Sequence, residues 1–204
     1  LDYFIAHPEC GVCTTGGYRY LVRRDEMVEG LAPWNPIEDG DVRRFYFSPD
    51  YKGGVYAMPL TMLFRRELLQ YIDFDTFIER GFPVEDYPMQ AIMAQHTLWG
   101  HLSDKTVVYR VYSESATFIS YDHPKYMQYH RGLMEIRKYL EELYPGQTGY
   151  SQEWADEYVF YREYLLYLHN GDFRNAKQLV DNCNLDTPKV NKARKMTANR
   201  LVFT

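Results

Sequence analysis

The stretch Phe82-Pro83-Val84-Glu85-Asp86-Tyr87-Pro88 restricts what this chain can fold into more than any other. Two adjacent carboxylates stand where a loop becomes a helix, and Pro88 suits a first helical turn, where its missing N–H is not needed. The positive end of the helix dipole and its free N–H groups favour ionised acids at that place. Met89, Ile92, Met93 and Trp99 then supply an apolar stripe at helical spacing, and Gly100 marks the expected stop. Glu85 and Asp86 therefore read either as an acidic cap or as a catalytic pair, and the sequence on both sides has to separate the two.

A chain of 204 residues is long enough for one sizeable core, or for one domain and a helical appendage. Its 20 Tyr, 11 Phe and 3 Trp supply flat apolar area, and tyrosine adds a hydroxyl that suits packing and polar ligands such as sugars alike. A net charge of −5 argues against a nucleic-acid surface, and the one basic run, Asn191 to Lys195, reads as the solvated face of a last helix. No apolar stretch reaches the ~18 residues that a membrane span needs, and no signal peptide is visible. The chain opens at Leu1 in what reads as the middle of a helix, which fits residues upstream of it.

Three cysteines make no disulfide framework, and a reducing cytoplasm is the expected compartment. Cys10-Gly11-Val12-Cys13 matches C-x-x-C, but it leads into a β-rich run to Val22 instead of opening a helix, and no second pair offers zinc its other ligands. Buried strand cysteines are the expectation. Asp39-Gly40-Asp41 and Asp73-Phe74-Asp75 fit the D-x-D pattern that can seat a divalent cation. Neither follows an apolar strand, so each reads as a turn.

Residues 24 to 42 read as a surface loop, Arg44 to Phe47 and Gly54 to Phe64 as strands, with Pro59 as an edge or break in the second. Arg65 to Leu69 begins a short helix, Asp73 to Gly81 is a loop, and Lys105 to Tyr112 is a strand.

In that order, Met62-Leu63-Phe64-Arg65-Arg66-Glu67-Leu68-Leu69, then Glu85-Asp86-Tyr87, then Val108-Tyr109-Arg110 with Ser113 and Ser115, resembles the second half of a family 2 glycosyltransferase of GT-A fold. The resemblance covers about residues 1 to 120. It implies an α/β fold, a partial GT-A-like sheet with flanking helices, and a nucleotide-binding half that would precede Leu1. It also implies transfer of a sugar, with inversion, from a nucleotide-sugar donor to a carbohydrate or other hydroxyl acceptor, as in polysaccharide biosynthesis. Asp86 would match the catalytic base and Glu85 its acidic neighbour. Arg110 would hold the donor diphosphate, with a salt bridge at the sheet edge as its other reading. Tyr87 would belong to an acceptor platform, with core packing as the better reading of Trp99. Arg65 and Arg66 read as structural partners. A divalent cation, manganese or magnesium, is implied for the full enzyme, with no ligand set in this chain. Tyr112 stands where some relatives carry a histidine.

Residues 121–204 read as a helical extension. An amphipathic helix runs from Pro124 to Leu143, with apolar residues at 126, 129, 133, 136, 140 and 143. A second spans 152 to 169 through Trp154, Tyr158, Tyr161, Leu165 and Leu168; a turn at Asn170-Gly171-Asp172 leads to a third, and Thr187-Pro188 opens a last one. The hairpin at Asn170 has the look of one tetratricopeptide repeat, but one hairpin is no array. These helices would cover the sheet, pack against a protein partner or a second copy, or lie at the inner face of a membrane, the last being the weaker option because acids are mixed into them. The alternative to the enzyme is a non-catalytic binding or assembly module that keeps the same architecture.

Overall fold

The computed structural model describes residues 1–30, 39–47, 57–111, 121 and 124–200. The chain divides into two compact units: residues 1–118 with 136–149, and residues 119–135 with 150–204.

In the first unit the β-rich run after His7-Pro8 becomes β1 (Cys10–Leu21), the axis of a four-stranded mixed sheet. A short helix, α1 (Asp2–Ala6), precedes it. One side of β1 pairs antiparallel first with β3 (Met62–Phe64), over Val12 to Thr14, and then with β2 (Glu26–Glu29), over Tyr18 to Leu21. Along its other side lies β4 (Leu98–Val111), parallel. Parallel pairing demands a long crossover, and this one ends in α4 (Asp86–His96), directly before β4. The inner face of α4 buries Tyr87, Pro88, Gln90, Ala91, Ile92, Met93 and Ala94. Cys10 and Cys13 are free and buried in the strand, as expected.

Several local readings change. Trp99 and Gly100 belong to β4, and α4 stops at His96 with Thr97 extended. The stop comes early because Trp99 is claimed from both sides: its N–H and C=O pair with Gly40 at 2.9 and 2.7 Å, and its strand lies against Val12. The indole is fully buried, packed 5.8 Å from the Tyr46 ring. Nor is there a strand at Arg44 to Phe47; this is a helix, α2 (Arg43–Phe47). Asp41 accepts the Arg43 N–H at 2.9 Å and pairs with its guanidinium, and neighbouring Tyr46 and Phe47 are both buried, which strand alternation forbids on a one-sided sheet. The loop at 73 to 81 contains α3 (Phe74–Glu79), capped by Asp73, which accepts the Thr76 N–H at 3.0 Å. Within the loop read at 24 to 42, β2 folds back on β1 through Asp25 at φ 51°. Of the run 54–64, residues 57–64 are described: a 3-10 turn, Pro59–Thr61, then β3. The short helix after Phe64 is 3-10, Arg66–Tyr71. Tyr112, Ser113 and Ser115 lie outside the described residues.

Residues 126–135 of α5 (Tyr126–Leu143) belong to the second unit and residues 136–143 to the first. The second unit adds α6 (Gln152–His169), α7 (Phe173–Asp181) and α8 (Pro188–Arg200). Its core is Phe160, Tyr164, Ala176, Val180, Val190 and Ala193. The buried side of α6 lies one step round from the stripe read in the sequence: Ala155, Phe160 and Tyr164 are buried, while Trp154, Tyr158 and Tyr161 are half-buried. Glu157 is buried too, because it accepts the Lys189 N–H at 3.1 Å and pairs with that ammonium at 3.2 Å at the start of α8. Asp172 caps α7 after Gly171, whose φ of 70° suits glycine. Among the described residues, no helix is long and apolar enough to cross a membrane.

Candidate functional site

Asp86 is the first residue of α4 and Glu85 its N-cap, yet Glu85 makes no capping bond from its side chain. Glu85 is therefore no side-chain cap, whereas Asp86 lies in the first turn, where the helix end favours an acid. Asp86 Oδ1 is buried and has no hydrogen-bond partner. Burial pushes its carboxyl above the usual carboxylate range; the N–H of Tyr87 opposes this and the charge of Glu85 adds to it. A carboxylate with one unbonded buried oxygen and a raised pKa is a stronger proton acceptor than an ordinary surface acid.

Glu85 is exposed and lines an open groove of about 240 Å³ whose other walls are Phe74, Phe77, Ile78, Phe82 and Val84. The helix α3 builds most of it. Phe77 is buried against Phe82 and Tyr139, at ring separations of 5.2 and 5.9 Å, and so forms the floor. The spacing 74, 77, 78 is helical, and with Asp73 as a cap it is the signal that a loop reading of this segment missed.

Beneath α4 lies a buried polar network that sequence patterning did not reveal. Gln90 accepts from the Tyr46 hydroxyl (2.7 Å) and the Ala57 N–H (3.2 Å), and donates to the Ala57 carbonyl (2.9 Å). Arg137, 2% exposed, donates to the Tyr46 carbonyl (3.0 Å), the Tyr87 hydroxyl (3.1 Å) and the Thr148 carbonyl (2.5 Å). A Gln in the middle of an apolar helix face is the one mark of this network in the sequence. Tyr87 is thus in the core, with its hydroxyl engaged by Arg137, and offers no face to an acceptor.

Arg110 stands exposed near the end of β4, opposite Tyr20 of β1, and pairs with no carboxylate among the described residues. The structure brings Glu85 and Asp86 together and leaves Arg110 on its own strand. Arg65 is structural, donating to the carbonyls of Cys10 and Phe4 at 3.0 Å each.

Neither D-x-D copy is arranged for a cation. Asp39 accepts the His101 N–H at 2.6 Å, Asp41 is paired with Arg43, and Asp73 caps α3. Among the described residues no three His, Cys, Asp or Glu side chains gather as a metal site.

No protein-family model, curated protein or solved structure matches this chain.

Proposed function

We propose that this chain is the acceptor-side part of an inverting glycosyltransferase of GT-A type, with Asp86 as the catalytic base. The observation that carries the reading is the unbonded, buried Oδ1 of Asp86 at the start of α4, next in the chain to Glu85, which lines a groove. In the reaction, Asp86 takes the proton of an acceptor hydroxyl as that oxygen bonds to the anomeric carbon of the donor sugar. The bond from that carbon to the diphosphate breaks in the same displacement, so the configuration inverts and a nucleoside diphosphate leaves. Glu85, next in the chain, holds the acceptor hydroxyl and raises the basicity of Asp86. Arg110 is the cation offered to the leaving diphosphate, for which a guanidinium is well shaped. The divalent cation that such a donor calls for finds no fitting ligand set among the described residues, and no step is assigned to it.

Asp86→Asn keeps the shape and removes the base. Transfer by the intact enzyme is expected to fall by about 10³-fold with folding unchanged; wild-type turnover in that variant would sink the assignment of Asp86 as the base. Calorimetric titration of these 204 residues with UDP and UDP-sugars, with and without manganese, is expected to show no tight binding, since no metal-ligand set gathers among the described residues. Tight metal-dependent binding would return Asp39, Asp41, Asp73 and Asp75 to consideration as ligands.

A further inference from the structure

The groove beside Glu85 differs from an ordinary sugar subsite in what its walls can offer. Phe74 is 42% and Ile78 77% exposed, large apolar side chains left open to water on a helix whose other apolar residue, Phe77, is buried. Such groups standing together mark a binding surface more often than singly scattered ones do. Two of the backbone donors at the groove are already engaged: the Gly81 N–H bonds the Ile78 carbonyl at 3.0 Å, and the Phe82 N–H bonds the Phe77 carbonyl at 3.0 Å. Phenylalanine, isoleucine and valine side chains donate nothing. The one polar side chain in the wall is the Glu85 carboxylate, which only accepts.

A ring of hydroxyls placed here would give up its hydration without replacement, at a cost on the order of 1–3 kcal/mol for each unmatched group. An anion fares worse. Asp75 and Glu79 stand exposed on α3, and Glu85 and Asp86 follow it, all negative. Asp73 caps the helix. The nearby cation, Arg80, is held by Glu142 at 2.6 Å and lies 5.0 Å over the Tyr139 ring. The acids outnumber it, so the local field favours a neutral or positive ligand.

We infer that the groove takes the non-reacting part of the acceptor, and that this part is an apolar aglycone without negative charge, an aryl or alkyl group bearing a neutral or ammonium donor that meets Glu85. The assignment rests on the acceptor-side reading above for the word acceptor; the ligand chemistry rests on the groove alone. Its volume of about 240 Å³ accommodates one or two fused rings lying on Phe77 and edged by Phe74 and Phe82.

The test uses the full chain labelled at isoleucine and valine methyl groups, titrated by NMR with four probes of one size: 2-phenylethylamine, 2-phenylethanol, phenylacetate and methyl α-glucoside. The amine and the alcohol are expected to shift the Ile78 and Val84 methyls saturably. Phenylacetate should bind at least tenfold more weakly, and the glucoside should leave both methyls in place. Ile78→Ser, at an exposed position, should abolish the Val84 shift without disturbing the fold, and Glu85→Gln should narrow the gap between phenylacetate and the amine. Equal binding of phenylacetate and amine by the unmodified chain, shifts with the glucoside, or no shift with any probe would overturn the inference. Asp86→Asn separates this from the functional reading. Full turnover in that variant with probe binding as expected removes the base and leaves the groove's ligand class; lost turnover with silent methyls does the reverse.

Discussion

Each unit of the molecule sets an arginine among tyrosines, Arg137 buried in the first and Arg162 half-buried in the second, and they answer its charge differently. In the first, Arg137 meets two backbone carbonyls and the Tyr87 hydroxyl. Glu141 stands close by; burial pushes its carboxyl up, but bonds from Thr148 and the Gly146 N–H outweigh that and hold it below the usual range. In the second, Arg162 lies 5.0 Å over the Tyr158 ring. The Tyr158 hydroxyl is 2.9 Å from His130 Nδ1. Carbonyls do not titrate, so the first network is indifferent to pH near neutrality. The second contains an imidazole whose pKa burial, aided by Arg162, pulls down to about 4. One arrangement fixes the floor beneath the candidate site; the other makes the helical unit sensitive to acid.

The largest expected effect comes from breaking the first network. Arg137→Met removes the guanidinium donor from two buried carbonyls and a hydroxyl, and should destabilise the first unit by about 3 kcal/mol, read by hydrogen exchange of the α4 amides. Exchange in α7 should not change, and equal losses in both would contradict the separation. Gln90→Leu, which strands the Ala57 amide and the Tyr46 hydroxyl, should cost about 2 kcal/mol by the same measurement.

Acid sharpens the comparison from the other side. His130 is neutral when folded down to about pH 4, while the unfolded chain takes up its proton near 6.5. Between those values the unfolded state binds more protons, so stability rises with pH and is lost on going from 6.5 towards 4. The second unit should lose about 2 kcal/mol on acidification from pH 7 to 4.5, allowing for screening by water; His96, drawn down by burial but less so, gives the first unit a smaller loss of the same sign. Unfolding of α7 followed against pH checks this, and His130→Gln should flatten the slope.

The smallest effect concerns Asp86. Its folded carboxyl titrates above the unfolded value, so the folded state binds the extra proton in that window and stability falls as pH rises through it. At pH 7 the ionised group is a slight burden on the fold. Asp86→Asn should therefore raise the unfolding midpoint, by under about 1 kcal/mol after screening, while removing the base. A clear loss of stability would make Asp86 a structural acid.

Long segments with a single period were legible in the sequence: β1 from its β-branched and aromatic run, α5 from its apolar spacing, α4 from the proline and acids at its start. Short segments were not. Arg44 to Phe47 is too brief for alternation to be told from a helical turn, and the bond from Asp41 to the Arg43 N–H decided it. Asp73 to Gly81 was hidden because its aspartates suggest a turn, although 74, 77 and 78 share a helix face.

The sequence by itself determined where acids could sit: a helix start at Asp86 follows from local backbone chemistry, and so does the strand that carries Arg110. Only the tertiary structure decided which side chains are free to act. Tyr87 and Trp99, both eligible from the sequence to touch a ligand, are drawn into the core by partners far along the chain, Arg137 and Gly40. Ile78 and Phe74, unremarked in a loop reading, are left in the open by a helix of six residues. Burial is a property of what packs on a residue, and most of what packs here comes from elsewhere in the chain.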